Sequence, residues 1–416
     1  MKARHVTAAC LAVSLIASQA LAADRWLGAW GFAPVSPNAP PPASAPNPAP
    51  APAPAPPATQ QTPPPLASGP STVADVTIRQ LVRVSAAGTK VRVRLSNEFG
   101  TAPIVIGKAA VAPAKADGSA GEGKALTFGG QAQAMIYPGA PLYSDPVDLP
   151  VAALQELAVS LYLPEETKLP THSLRQTLSD KGDFTTAARF GDKPLRLGAI
   201  VSGVEVASVP PRRVIVTLGD SITEGAGSTP GAYQSWPDLL AVRLAGRAAV
   251  VNVGISGNRV LRERSGPSAL ARFDRDVLSV PGATDVVLME GINDINRAFN
   301  PQYGERANAD DLIGAYKQII LRAHAKGLRI HGATLTPQGG YRSFSPQTEA
   351  TRQAVNAWIR TSGAFDGVID FDAAVRDPKK PDTMVEAYQS GDWLHPGDAG
   401  YKVMAAAVDL RLFGVK

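Results

Sequence analysis

The run Val214-Ile-Val-Thr-Leu-Gly-Asp-Ser-Ile-Thr-Glu-Gly225 decides the fold. Val214 to Leu218 are all apolar or β-branched, the pattern of a strand buried on both faces. Gly219 breaks the strand, and Ser221 follows just past its end. In an open parallel α/β sheet, ligands bind at the carboxyl ends of the strands, so a serine placed there faces a cleft. Gly-Asp-Ser alone is weak evidence, because Asp or Ser after a strand is often only a helix cap.

Three further clusters follow. Asn252-Val-Gly-Ile-Ser-Gly-Asn258 succeeds the apolar run Ala248-Ala-Val-Val251, and Glu290-Gly-Ile-Asn-Asp294 succeeds Val286-Val-Leu-Met289. Gly391-Asp-Trp-Leu-His-Pro396 lies close to the end of the sequence. The first two are therefore expected on loops at the sheet edge that carries Ser221. Together the blocks supply what acyl transfer needs: a nucleophile, a base with its orienter, and donors for an oxyanion.

With these four blocks in this order, residues 211–413 resemble the GDSL/SGNH hydrolases. The resemblance implies that Ser221 is the nucleophile and that Asp392 and His395 complete a triad. It implies an oxyanion hole made by Ser221, Gly257 and Asn293. The sequence departs from the commonest motif at Ile222, where leucine is usual, a conservative apolar change.

Elementary chemistry fits these roles. A serine hydroxyl needs a base, and histidine suits that task near neutrality. Asp392, three residues before His395, can reach the imidazole and hold one tautomer. Pro396 biases His395 towards an extended backbone. Asn293 offers an amide donor, and Gly257 an N–H without a Cβ in the way. Asp220 reads as structural, bonding backbone N–H groups of the serine turn. Asp398 reads as the cap of the terminal helix, and His172, His324 and His331 as packing or surface residues.

Residues 1–22 read as a secretory signal peptide: a basic start, an apolar stretch and Ala20-Leu-Ala22 at the cleavage site. Export to the periplasm or medium is the expectation. The only cysteine, Cys10, falls inside it, so no disulfide is expected. Of 41 basic and 36 acidic residues, removing Lys2 and Arg4 leaves 39 against 36, or +3. That balance argues against nucleic acid as a partner. No apolar run is long enough to span a bilayer, and neither a metal nor a cofactor is called for.

Residues 34–70 are a Pro/Ala-rich low-complexity tract, with 16 prolines in 37 residues. The aromatic segment 23–33 before it, Trp26-Leu-Gly-Ala-Trp-Gly-Phe32 at its heart, is expected to dock as a strand. Residues 71–207 read as a β-sandwich domain of short strands. Within it, Thr77 to Ser85 and Lys90 to Ser96 flank Ala86-Ala-Gly-Thr89, a hairpin signal. Arg79, Arg83, Arg92 and Arg94 would then form a basic stripe, either a solvated face or a site for uronic-acid polymers. Residues 208–416 alternate strand and helix, giving a three-layer α/β/α domain around a five-stranded parallel sheet.

The expected function is an exported serine esterase. Short acyl groups, acetyl first, on a carbohydrate or similar polar carrier are the expected substrates. The alternatives are a broad aryl-esterase, thioesterase or lysophospholipase, and a non-catalytic glycan-binding protein. Tyr233, Trp236, Arg259, Arg262, Tyr341 and Trp393 lie near the motif loops as pocket candidates.

Overall fold

The computed structural model describes residues 24–35, 66–191, 193–208, 213–299, 305 and 307–415. The leader expected at 1–22, with Cys10, and residues 36–65 of the Pro/Ala tract lie outside the described residues. No described helix is long and apolar enough to cross a membrane.

Two antiparallel sheets form the N-terminal part. One runs in the order Trp26–Gly31, Val201–Ala207, Gly88–Ser96 and Val147–Val151, with Pro141–Tyr143 also paired to Gly88–Ser96. The other runs Pro194–Gly198, Ser173–Lys181, Val76–Arg83, Glu156–Leu163, Lys108–Pro113 and Lys124–Leu126. Val91, Val93 and Leu95 are fully buried between the sheets while Arg92 and Arg94 point outward, the period-2 pattern of a half-buried strand.

The hairpin expected across Ala86-Ala-Gly-Thr89 does not form. Val76–Arg83 and Gly88–Ser96 belong to different sheets, and the connection crosses the sandwich. Its backbone is claimed from outside. The Val84 N–H donates to the Gln155 carbonyl at 3.0 Å, and the Ser85 N–H to the Ala29 carbonyl at 2.8 Å. Ala86 is completely buried. An apolar connection stabilises a crossing through the core where a polar turn would favour a surface hairpin.

The basic stripe dissolves with the hairpin. Arg79 is buried and donates to Ser160 Oγ and to the carbonyls of Ala187 and Ala188. Arg83 lies over the Tyr233 ring and 3.5 Å from Asp238. Arg92 pairs with Glu205, and Arg94 with Glu98.

The second part is a parallel sheet in the order Ala248–Asn252, Arg213–Gly219, Ala283–Met289, Arg329–Ala333 and Gly367–Ile369. The strand order reverses beside Arg213–Gly219, and such a switch point opens a crevice at the carboxyl ends. Alternate residues face opposite layers. Ile215, Val287 and Met289 pack in the layer with Trp236, Leu240, Tyr401 and Met404. Val214, Val216 and Leu288 pack in the layer with Leu312, Ile319 and Val355. The flanking helices Trp236–Leu244, Ala309–Ala325 and Pro346–Thr361 start at Ser235, Asn308 and Ser345, whose side chains accept backbone N–H groups.

Asp398 does not cap the terminal helix. It is the first residue of Asp398–Ala407, behind an N-cap at Gly397. Its carboxylate instead accepts the Thr229 N–H at 2.8 Å and the Thr229 hydroxyl at 2.6 Å.

The two parts share one core. Leu27 and Ala29 of the aromatic strand belong to the same buried cluster as Val251 and Val253. Across the boundary, the Gly28 N–H donates to the Pro281 carbonyl at 2.9 Å, and Ser85 Oγ accepts the Val250 N–H at 2.9 Å. The Arg275 guanidinium sits over Phe99 and donates to the Pro34 carbonyl.

Candidate active site

Ser221 opens a short helix, Ser221–Glu224, directly after the strand Arg213–Gly219. Asp220 is its N-cap and accepts the Ile222 N–H at 2.9 Å. Gly219 is required by space. A Cβ there would lie 2.1 Å from Thr223 Oγ1 and 2.4 Å from the Met289 carbonyl. The chain can therefore turn into the helix within one residue of leaving the sheet.

Ser221 Oγ lies 2.8 Å from His395 Nε2. His395 Nδ1 lies 2.6 Å from Asp392 Oδ2. The other carboxylate oxygen accepts the N–H groups of Leu394 and His395, each at 2.9 Å. The turn between them needs Trp393 in the left-handed region, at φ 63°, unusual for a bulky residue. The Trp393 ring packs over Gly340. Burial pushes the Asp392 carboxyl up, but the bonds and charge of His395 and the backbone N–H groups bring it below its ordinary value. It is thus ionised when it faces the ring. The Ser221 side chain is buried, whereas those of His395 and Asp392 are 21% and 44% exposed.

The other two blocks are bonded to each other. Asn293, in the helix Ile292–Ala298, donates from Nδ2 to the Asn258 carbonyl at 2.9 Å. That leaves the amide a second N–H to donate elsewhere. Gly257, beside Asn258, has φ 74°. Asp294 accepts the N–H groups of Val260 and Leu261 at 2.8 and 3.1 Å, so the two loops are stitched together.

Sequence reading missed the residue that holds these loops from below. Arg272 is almost completely buried. It donates to the Gly219 carbonyl at 3.0 Å, the Val253 carbonyl at 2.6 Å, Asn258 Oδ1 at 2.9 Å and Asp276 at 3.1 Å. Glu290 lies 3.7 Å from the same guanidinium. One side chain thus ties together the ends of three strands. Its only sequence signal is a lone charge in the apolar run Ala269-Leu-Ala-Arg-Phe273. Burial raises Asp220 to about 6, against the pull of the Ile222 N–H, and raises Asp294 to about 6. Burial and the Asp220 charge push Glu290 well above the usual carboxyl range.

The pocket candidates scatter. Trp236 is a fully buried core residue against Phe371. Arg259 is buried and paired with Glu305, and Tyr233 bonds Glu156. Arg262 is exposed, and Tyr341 and Trp393 are half-buried.

Residues 217–403 match the GDSL-like Lipase/Acylhydrolase family. This part of the chain is a GDSL-like lipase/acylhydrolase domain, which makes the protein a hydrolase. No curated protein matches the chain. Among solved structures it is similar to a GDSL-like lipase from Bacteroides thetaiotaomicron, at 21% identity and a TM-score of 0.37, over 48% of this chain and 87% of that one. It is also similar to an acetyl xylan esterase from Geobacillus stearothermophilus, at 24% identity and a TM-score of 0.38, over 49% of this chain and 95% of that one.

Proposed function

We propose that this hydrolase is an exported serine esterase that works through an acyl-enzyme on short acyl groups carried by a carbohydrate or similar polar alcohol. The observation that carries the reading is the unbroken line Ser221 Oγ, His395 Nε2, His395 Nδ1, Asp392 Oδ2, at 2.8 and 2.6 Å. His395 takes the Ser221 proton as Oγ attacks the ester carbonyl. The N–H groups of Ser221 and Gly257 and the Asn293 amide receive the oxyanion. Collapse expels the alcohol with the proton from His395, and water repeats the cycle on the acyl-serine. Asp392 holds the ring in the tautomer that leaves Nε2 free to accept. The partial exposure of His395 and Asp392 supports a bulky, polar leaving group, since the base meets it at the solvent side.

Replacing Ser221 with Ala should lower p-nitrophenyl acetate turnover by about four orders of magnitude or more, with the melting temperature unchanged. A fluorophosphonate should label the wild type and not the variant. A variant that keeps more than about a tenth of the activity would remove Ser221 from the chemistry. Acetate release from an acetylated polysaccharide, set against hydrolysis of long-chain aryl esters, tests the substrate half of the reading.

A further inference from the structure

The loop carrying Gly257 is held at one point by a side chain the motifs leave without a role. Glu224, the last residue of the helix that begins at Ser221, turns its carboxylate towards that loop. Its Oε2 accepts the Ser256 N–H at 2.5 Å. Ser256 stands one residue ahead of the N–H assigned to the oxyanion. The helix and loop are in direct contact elsewhere too. A Cβ on Gly254 would lie 2.4 Å from the Glu224 nitrogen, and Asn252 donates to the Thr223 carbonyl at 2.8 Å.

The other oxygen of Glu224 points out of the hydrolase domain. Its Oε1 lies 3.3 Å from Nε2 of His172, which directly precedes the sandwich strand Ser173–Lys181. His172 Nδ1 lies 2.7 Å from the Ala33 carbonyl. A carbonyl and a carboxylate only accept, so a ring placed between them satisfies both contacts with a hydrogen on each nitrogen. Phe32 stacks on that ring at 4.0 Å between centroids. The pair is shielded, with side-chain exposures of 8% and 17%. Burial alone would raise the Glu224 carboxyl, but His172, the Ser256 N–H and the charge of Arg196 bring it down to about 2.

We propose that Glu224 and His172 are positioning residues through which the β-sandwich holds the Ser256–Gly257 backbone in the geometry that receives the oxyanion. This rests on the serine-esterase reading above. The sandwich is then part of the catalytic apparatus, and its role is to fix the loop rather than to touch substrate. An ion pair that only glued the two domains together would affect stability and leave turnover of the folded enzyme alone.

The test uses the full chain and p-nitrophenyl acetate, reading kcat and KM separately. Removing an oxyanion donor outright costs about 10²–10³ in kcat, so loosening one should cost about tenfold or more. Glu224→Ala should show that loss with KM within about twofold. Glu224→Gln keeps an oxygen for the Ser256 N–H and should recover kcat to within about threefold of wild type. His172→Gln should lower kcat about fivefold, and Glu224→Ala combined with His172→Gln should be no worse than Glu224→Ala alone, because His172 acts through Glu224. Normal kcat in Glu224→Ala, or additive losses in the double variant, overturns the proposal. If Glu224→Ala does not fold, His172→Gln decides by the same split, normal kcat overturning it. Ser221→Ala run alongside separates the two readings. Activity surviving there sinks the serine mechanism, whereas loss there with normal Glu224 and His172 variants sinks only the coupling.

Discussion

In the sandwich, Arg94 meets Glu98 and Ser202 along a strand face, with its side chain 15% exposed. In the hydrolase domain, the Arg272 and Arg352 side chains have no exposure at all, and each donates to backbone carbonyls as well as carboxylates. The contrast follows from where the backbone ladder runs. The sandwich is laddered strand by strand, so ion pairs such as Arg94–Glu98 only trim an architecture already fixed. Its buried Arg79 ties down the 187–188 segment, which lies outside the ladder. The registered strand pairs end at Gly219, Asn252 and Met289, and the loops that carry the motif residues start there. Beyond that edge the backbone bonds thin out, with the Val253 and Ile255 N–H groups still donating to the Thr217 and Gly219 carbonyls at 3.0 Å. Side chains bonded to backbone add to them, and Arg272 does so for three loops at once.

The most severe way to break this comparison is Arg272→Met, close in volume but unable to donate. It strands the Val253 carbonyl and Asn258 Oδ1 in the interior and takes the cation away from Glu290, while the Gly219 carbonyl keeps the Ile255 N–H and Asp276 keeps Arg275. Breaking a buried ionic network of this kind costs about 3–5 kcal/mol. Urea unfolding should show that loss, and any folded fraction should have little esterase activity because Val253 and Asn258 are no longer held. Arg272→Lys should rescue little, since a point charge cannot replace a five-donor fork. A stable, active Arg272→Met protein would mean that the loops are fixed by their own backbone.

The comparison also explains what was legible in the sequence. The residues gathered around Ser221 stood out as short polar blocks after apolar runs, because period and punctuation are local signals. The strands Trp26–Gly31 and Glu156–Leu163 were legible for the same reason. Which sheet a strand joins is not local. Thr77 to Ser96 carries a sound pattern for two strands, yet Ser85 bonds to Ala29 and Val250, more than fifty residues away in each case. Arg272 was invisible for a related reason. Two of its partners are main-chain carbonyls, which have no letter in the sequence, and the other three lie on separate segments. Glu224 stood inside the quoted motif, but its partner His172 comes from the other domain.

Acidity offers a subtler test. Asp294 is held at about 6, mainly by burial, against an ordinary value near 4. The folded state therefore keeps a proton that the unfolded chain has released between those values. Its contribution to stability is fully present below about 4 and falls as pH rises towards 6. Asp183 in the sandwich has the opposite sign. Burial raises it, but Lys108 and Thr185 outweigh that and lower it, so its contribution is present above the ordinary value and fades as pH falls below it. Asp294→Asn should flatten the slope of stability between pH 4 and 6 and leave the acid limb alone. Asp183→Asn should change only the acid limb. Urea midpoints from the acid limb below pH 4 up to pH 6 check both, and the same slope in the two variants would erase the distinction between the regions.

The smallest expected effect sharpens the sandwich side. Arg94→Ala removes the donors to Glu98 Oε1, at 2.8 Å, and to Ser202 Oγ, at 2.6 Å. Glu98 keeps the Ser96 hydroxyl at 2.8 Å, so its carboxylate is not left bare. The site lies at the end of Gly88–Ser96, where water can replace the guanidinium, and the ladder to Val201–Ala207 is untouched. Partly exposed pairs contribute about 0.2–1 kcal/mol, and a charged hydrogen bond at most about 1.5–3 when it is shielded. The expected loss is about 1 kcal/mol, smaller at high salt, with esterase turnover within about twofold. A loss near that of Arg272→Met would show that the sandwich also hangs on single arginines. The ladder would then not be what holds it, and the contrast between the two regions would fail at its root.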